Sequence, residues 1–197
     1  MPKVLSRADR ARKVAVVTVL VLALSGCSGG DEKGAPSGPE PSGHATEQVP
    51  TDARLGKVRG RLGKAKADAV VAAVSAAVDT WVDGAYGGDY PRTDFGPAFA
   101  GFTRDARKLA QRQPGVMSNA AVGADLSAVE ITERRVRVDV LGVDGRAAGA
   151  TARVRIGLAL SGGGERTEQV TGRLLLTPVK GGWQVFGFDV SRGKEGA

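Results

Sequence analysis

Cys27 is the side chain best placed for covalent chemistry, and it is the only cysteine in the 197-residue chain. It lies in the stretch LALSGCSGGDE, between an apolar run and a Gly/Ser-rich run. A single cysteine excludes an internal disulfide, so the core alone must stabilise the fold. A lone cysteine is usually a small buried hydrophobe, but no core pattern surrounds Cys27.

Beyond Cys27, the sequence has none of the patterns that common catalytic sites require. It has no Gly-x-Ser-x-Gly elbow, no Gly-x-x-x-x-Gly-Lys loop and no His/Cys spacing for a metal. The run Gly162–Glu165 is rich in glycine, but it lies between two predicted strands and indicates a hairpin turn. The sequence therefore predicts no catalytic residue, no cofactor and no metal.

The loop DGAYGGDYPRTD, residues 83–94, gathers aromatic, acidic and basic side chains after a predicted helix. Tyrosines in such a loop make amphipathic contacts at the mouth of a pocket. The spacing of Asp83, Asp89 and Asp94 does not match the alternate-residue pattern of an EF-hand loop. A structural loop is favoured, and the alternative is contact with a ligand or partner through Trp81, Tyr86, Tyr90 and Arg92.

Arginines alternate along two predicted strands. Arg135 and Arg137 share one face of the first strand, and Arg153 and Arg155 share a face of the next. Such a patch attracts lipid headgroups, wall polymers or an acidic partner. A solvated face is the favoured reading, with cross-strand counter-charges from Asp139, Glu130, Glu165 and Glu168.

The first 26 residues have the three parts of a secretory signal peptide. Basic residues within positions 3–13 precede an apolar run at 14–24, and two small residues follow. As a helix this run is about 16 Å long, well short of the roughly 30 Å hydrocarbon core of a bilayer. The segment therefore predicts export rather than a transmembrane helix.

The four residues Leu24-Ser25-Gly26-Cys27 resemble the lipobox of bacterial lipoproteins. In that family the cysteine thiol receives a diacylglyceryl group, the signal peptidase cuts before the cysteine, and a further acyl chain such as palmitate often follows. The resemblance implies lipid attachment at Cys27 and a location at the extracytoplasmic face of the cell membrane. Two acyl chains hold a protein where one is marginal. An uncleaved signal anchor is the alternative.

Residues 27–64 are interpreted as the lipidated cysteine and a disordered tether rich in Gly, Pro and Ser. His44, the only histidine, is predicted to be solvated within it. The basic stretch 54–66 either contacts anionic lipid or wall polymer or is a solvated linker end. The net charge of +7 arises mainly in the first 26 residues. Because the domain itself is nearly balanced, nucleic-acid binding is not expected.

Periodicity then predicts helices followed by strands. Apolar residues recur at three- and four-residue steps over 65–86, and a shorter helix capped by Thr103 follows. Pro114-Gly115 is predicted to close the helical part. Period-two alternation predicts strands near 126–131, 135–140, 152–160, 170–177 and 183–190, joined by tight turns.

This order of elements resembles the NTF2-like (SnoaL-like) superfamily, in which N-terminal helices pack into a curved antiparallel sheet. The resemblance rests on a first helix bearing Trp81 and Tyr86 and on the closing strand WQVFGFD. It implies an α+β fold, a cone over residues 65–192 with a tail at 193–197. A cystatin-like arrangement, one long helix on a meander, is the alternative.

Enzymes of the NTF2-like family commonly use a histidine or an aspartate deep in the cone. The domain has no histidine, so a catalytic reading depends on Asp139, Asp125 or Glu130. The sequence favours a non-enzymatic lipoprotein that binds a small ligand or an envelope protein, with its membrane contact through Cys27. The alternatives are an accessory subunit of a transporter or envelope complex, and a cyclase, isomerase or dehydratase. Abundant Ala, Gly and Arg with few Lys is typical of a GC-rich bacterium such as an actinobacterium.

Overall fold

The computed structural model describes residues 49–194. The predicted signal peptide, the lipid attachment at Cys27, the tether up to residue 48 with His44, and the last three residues of the tail lie outside the described residues. Five strands and three α-helices make up the described part, together with a 3₁₀ helix at Gly96–Phe99. The strands are β1 (Asp52–Gly60), β2 (Ala128–Val143), β3 (Arg146–Ser161), β4 (Arg166–Val179) and β5 (Gly182–Lys194), and the helices are α1 (Lys64–Ala85), α2 (Arg104–Gln111) and α3 (Pro114–Met117).

The strands form one mixed sheet in the order β1-β2-β3-β4-β5. Strands β2 to β5 are antiparallel neighbours, as the alternation and the turn residues predict. The strands predicted near 126–131 and 135–140 are a single strand, β2. Strand β1 pairs parallel to β2, with Asp52 opposite Arg135 and Gly60 opposite Gly142. The chain reaches this parallel arrangement because α1 and the following helices cross between β1 and β2.

The prediction of an α+β fold is wrong. About 47% of the described residues lie in strands and 26% in helices, so the domain is mostly sheet. A strand precedes the first helix and makes the sheet mixed. The architecture therefore confirms neither the NTF2-like cone nor the cystatin-like alternative.

The overlooked strand is β1, which lies in a segment interpreted as tether and basic linker. Its apolar residues Ala53 and Leu55 alternate, but the register shifts before Val58 because of a bulge at Gly56 and Lys57. One inserted residue destroys period-two alternation in the sequence. As an edge strand, β1 also tolerates the charged residues that made it resemble a linker.

The helical predictions hold in part. The first helix is α1 and the second is α2. Thr103 is at the N-cap position of α2, but its side chain makes no capping hydrogen bond. Pro114-Gly115 does not close the helical part, because Pro114 begins α3 instead. Proline suits the first turn of a helix, where its missing N–H is not needed.

The space between α1 and the sheet is filled with side chains. Trp81, Val74 and Val78 of α1 are fully buried and belong to the same core cluster as the sheet residues Ile156 and Leu174. Aromatic rings close the remaining space, with Phe99 and Phe102 in an edge-to-face contact at 5.4 Å between centroids. Because this interior is packed, the surfaces available for binding lie on the outside of the domain.

Candidate anion-binding face

Alternation along the strands gives the sheet two different faces. On β2, Val136, Val138 and Val140 are buried beneath the helices, whereas Arg135 and Arg137 between them are exposed. Successive side chains of a strand point to opposite faces, so the arginines lie on the side away from the helices. We call this side the outer face.

Register places arginines from four strands side by side on the outer face. Arg137 of β2 lies opposite Arg54 of β1 and opposite Arg153 of β3. Arg153 in turn lies opposite Arg173 of β4, whose partner on β5 is Asp189. Neighbouring strands are about 4.8 Å apart, so the four arginines form a row about 15 Å long.

A second row runs parallel to the first, two residues along each strand. Arg135 lies opposite Asp52 of β1 and Arg155 of β3, and Arg155 lies opposite Thr171 of β4. The two rows are about 7 Å apart. Together they are called the arginine rows.

Acidic neighbours neutralise part of this charge. Nitrogen-to-oxygen distances of 2.9–3.1 Å join four of the arginines to carboxylates, in the pairs Arg54–Asp52, Arg135–Glu133, Arg153–Asp139 and Arg173–Asp189. Arg137 and Arg155 form no ion pair with any residue between 49 and 194. Lys57 and Arg59 of β1 lie beside the rows, so the outer face carries a net positive charge.

Asp139 holds β1 in place at the edge of this face. Its Oδ1 accepts the backbone N–H of Lys57 at 2.8 Å, and its Oδ2 accepts Arg153 Nε at 3.1 Å. Burial alone would raise the pKa of Asp139, but these hydrogen bonds and the charges of Arg153 and Arg137 outweigh burial and lower it. Asp139 is thus an ionised structural carboxylate.

The other predicted counter-charges, Glu130, Glu165 and Glu168, form no ion pair with the arginine rows. Glu168 lies on the helix-facing side, between Arg166 and Arg192. Burial would raise the pKa of Glu168, yet hydrogen bonds and charge from the two arginines lower it overall. Glu130 and Glu165 are exposed and form no ion pair with a described residue.

An open groove of about 820 Å³ lies across the outer face at the end nearest the β2–β3 and β4–β5 turns. Lys57, Arg59, Arg137 and Arg153 line one part of it. Apolar side chains line another part, namely Leu141, Leu175 and Phe186. The groove therefore offers cationic and apolar surface to the same ligand.

Trp81 and Tyr86, two predicted contact residues, are fully buried. Trp81 Nε1 donates to the Met117 carbonyl at 3.0 Å, and the Tyr86 hydroxyl donates to the Val116 carbonyl at 2.6 Å. Burial raises the pKa of Tyr86 above its ordinary value. These hydrogen bonds join α1 and Tyr86, the residue after it, to α3. Neither side chain presents an exposed surface to a ligand.

Tyr90 and Arg92, the other two, are half-buried and also bond to the fold. The Tyr90 hydroxyl donates to the Tyr86 carbonyl at 2.9 Å and accepts the Asn119 amide at 2.7 Å. Arg92 donates to the Gly84 carbonyl at 2.9 Å, and its guanidinium lies 4.3 Å from the centroid of the Phe95 ring. The structure brings the four residues together as framework rather than as a pocket.

The carboxylates on which a catalytic reading depended are dispersed. Asp125 and Glu130 are exposed, whereas Asp139 is on the outer face with a lowered pKa. In the loop 83–94, Asp83 pairs with Arg134 and Asp94 accepts the Gly96 N–H. No group of metal-binding side chains occurs within residues 49–194.

Sequence reasoning found Arg135, Arg137, Arg153 and Arg155 but missed their neighbours. Arg54 lies in the segment that was interpreted as a linker. Arg173 is the only arginine on its face of β4, so no alternating pattern identifies it in the sequence. Only the register of β1 and β4 reveals that they extend the row. The periodic signal for β4 could have placed Arg173 on this face, but not opposite Arg153.

None of the described helices is long and apolar enough to cross a bilayer. Comparison of the chain with protein-family models, with curated proteins and with solved structures gives no match.

Proposed function

We propose that the protein is a lipid-anchored extracytoplasmic lipoprotein whose domain binds an anionic partner on its outer face without catalysing a reaction. The lipobox Leu24-Ser25-Gly26-Cys27 supports the anchor. The arginine rows and the groove beside them support the binding surface. A domain fixed at a membrane needs only modest intrinsic affinity, because tethering raises the effective concentration of partners on that surface.

The observation that carries the proposal is the direct opposition of like charges. Arg137 faces Arg153, Arg153 faces Arg173, and Arg135 faces Arg155 across neighbouring strands. Like charges directly opposite each other destabilise a sheet. Ion pairs with Glu133, Asp139 and Asp189 offset part of this repulsion, but Arg137 and Arg155 have no acidic partner within residues 49–194. Natural proteins break local rules of stability at functional sites. An anion bridging the arginines would supply the missing compensation.

Fractionation of cells that make the full chain tests the anchor. We expect the natural chain to incorporate labelled palmitate and to sediment with membranes. The matched variant Cys27→Ser should incorporate no label, because a hydroxyl cannot form the thioether. Equal labelling of the two chains, or no labelling of the natural chain, would contradict the anchor.

Protection of arginines from chemical modification tests the binding face. The full chain, held in a non-ionic detergent, is treated with a glyoxal reagent with and without inorganic polyphosphate, and modified residues are identified by mass spectrometry. Polyphosphate should protect Arg137 and Arg155, whereas exposed Arg104 on α2 serves as the control and should react equally in both samples. Equal reaction of all three residues would contradict the proposal.

A further inference from the structure

We propose that the anionic partner is the phospholipid bilayer in which Cys27 is anchored, and that the outer face docks flat against it. This inference rests on the proposed function, because it names the partner of the same face. The arginine rows would contact phosphate headgroups, and an apolar end of the sheet would enter the interface. We call this end, formed by Leu141, Val143, Val179 and Phe186, the apolar rim.

The apolar rim is exposed although its residues are large and hydrophobic. The exposed fractions are 48% for Leu141, 48% for Val143, 41% for Val179 and 52% for Phe186. All four lie near the β2–β3 and β4–β5 turns, which are at the same end of the sheet. Clusters of exposed apolar side chains rimmed by polar residues mark contact with proteins or membranes.

The rim and the arginines belong to one surface. Leu141 and Phe186 line the same groove as Lys57, Arg137 and Arg153. A bilayer interface with anionic lipid presents this pair of chemistries, since phosphate charges lie directly above acyl chains. A polyanionic wall polymer, or a peptide of acidic residues alone, would satisfy the arginines but would leave Phe186 and Leu141 in water.

The path of the chain also favours the bilayer. Strand β1 contributes Lys57 and Arg59 to the groove, and it is the strand nearest to Cys27 in the sequence. Roughly 25 residues separate Cys27 from Asp52, and at full extension such a segment spans no more than about 90 Å. Docking on the same membrane is then an intramolecular event with an effective concentration in the millimolar range.

A fluorescent reporter in the apolar rim tests the docking. The acylated Cys27 has no free thiol, so Val143→Cys in the full lipidated chain introduces the one site for a polarity-sensitive dye. The protein is inserted into vesicles of phosphatidylcholine with or without phosphatidylglycerol, each with spin-labelled lipid as quencher. The matched control is Ala73→Cys, an exposed position on α1 on the other side of the sheet.

We expect the dye at position 143 to shift to the blue and to be quenched in vesicles that contain phosphatidylglycerol. In vesicles of phosphatidylcholine alone, the emission of the dye at position 143 should resemble that of the dye in water. The dye at position 73 should give this water-like emission in both kinds of vesicle. Each basic residue near an anionic surface contributes about fivefold to binding. Arg137→Glu with Arg155→Glu should therefore lower the ratio of docked to undocked protein by about 25-fold or more.

The variant Arg104→Glu with Lys108→Glu removes the same charge from exposed positions on α2 and should leave quenching unchanged. Equal quenching in both kinds of vesicle, or none in either, would overturn the inference. So would a dye response that follows protein density rather than lipid charge, since it would indicate contact between copies. If polyphosphate protects the arginines but phosphatidylglycerol causes no quenching, the proposed function stands and this inference fails. If Cys27→Ser is labelled like the natural chain, the anchor itself fails.

Discussion

Arg137 on β2 and Arg153 on β3 lie directly opposite each other on the outer face, and Arg153 alone of the two has an acidic partner. The sheet therefore accepts a repulsive pair at its centre. The stability of the sheet therefore depends on the charge of any molecule that binds to the outer face.

Replacement of an outer-face arginine should stabilise the free domain. Arg155→Thr removes the charge opposite Arg135 and introduces a residue that favours strands. We expect the free energy of unfolding in urea to rise by up to about 1 kcal/mol. The control is Arg54→Thr on edge strand β1. It removes the charge opposite Arg137 but also breaks the ion pair with Asp52, so we expect no gain in stability. A loss of stability in Arg155→Thr would contradict the interpretation that Arg155 and Arg135 repel each other.

The bulge in β1 depends on the absence of a side chain at Gly56. A methyl group there would overlap Asp139 Oδ1, which accepts the Lys57 N–H. We expect Gly56→Ala to lower the free energy of unfolding by about 1–3 kcal/mol, the usual cost of overpacking. Gly193→Ala in β5 meets nothing within 4 Å and should be neutral. Equal melting temperatures for the two variants would show that β1 accommodates the added methyl group without a loss of stability.

Removal of one partner of the ion pair between α1 and the sheet should be strongly destabilising. Arg134 is 5% exposed and pairs with Asp83. Asp83→Ala would leave a buried guanidinium without its counter-charge, at a cost of about 3 kcal/mol. The double variant Asp83→Ala with Arg134→Met should regain most of that loss, because no charge remains to be solvated. A double variant as unstable as the single one would mean that the loss comes from packing.

Acid should weaken the domain through Glu168 and Asp139. Folding lowers the pKa of both, so each contributes stability that is complete above its unfolded pKa and is lost as pH falls through the folded pKa. Urea midpoints should stay level from pH 7 to about 5 and fall steeply below about pH 4. Glu168→Gln should be less stable at pH 7 and show a shallower fall. An unchanged slope in that variant would exclude Glu168 as a source.

Local signals in the sequence were sufficient for most elements but not for the way they assemble. Helix α1 has an uninterrupted apolar stripe, and the antiparallel strands alternate and end at glycine turns, so these elements were predicted. Strand β2 was predicted as two shorter strands. Strand β1 was not predicted, because its bulge breaks the alternation at Gly56 and because its pairing with β2 is a long-range contact. The fold class was wrong for the same reason.

The candidate site shows the same division between local and long-range information. Trp81 and Tyr86 resembled binding residues because aromatic side chains with polar atoms serve equally in pockets and in cores. The burial of a side chain decides between these two roles, and the burial of Trp81 and Tyr86 depends on α3 and the sheet. The arginine rows need the register of four strands, which no single strand encodes.

The most direct measurement of the central claim compares two charge reversals in one binding assay. The full chain in non-ionic detergent is titrated onto immobilised polyphosphate. We expect Arg137→Glu with Arg155→Glu to weaken binding at least tenfold, and Arg104→Glu with Lys108→Glu to weaken it less than twofold. Similar losses in the two variants would show that net charge alone governs binding, and would contradict a binding surface on the outer face of the sheet.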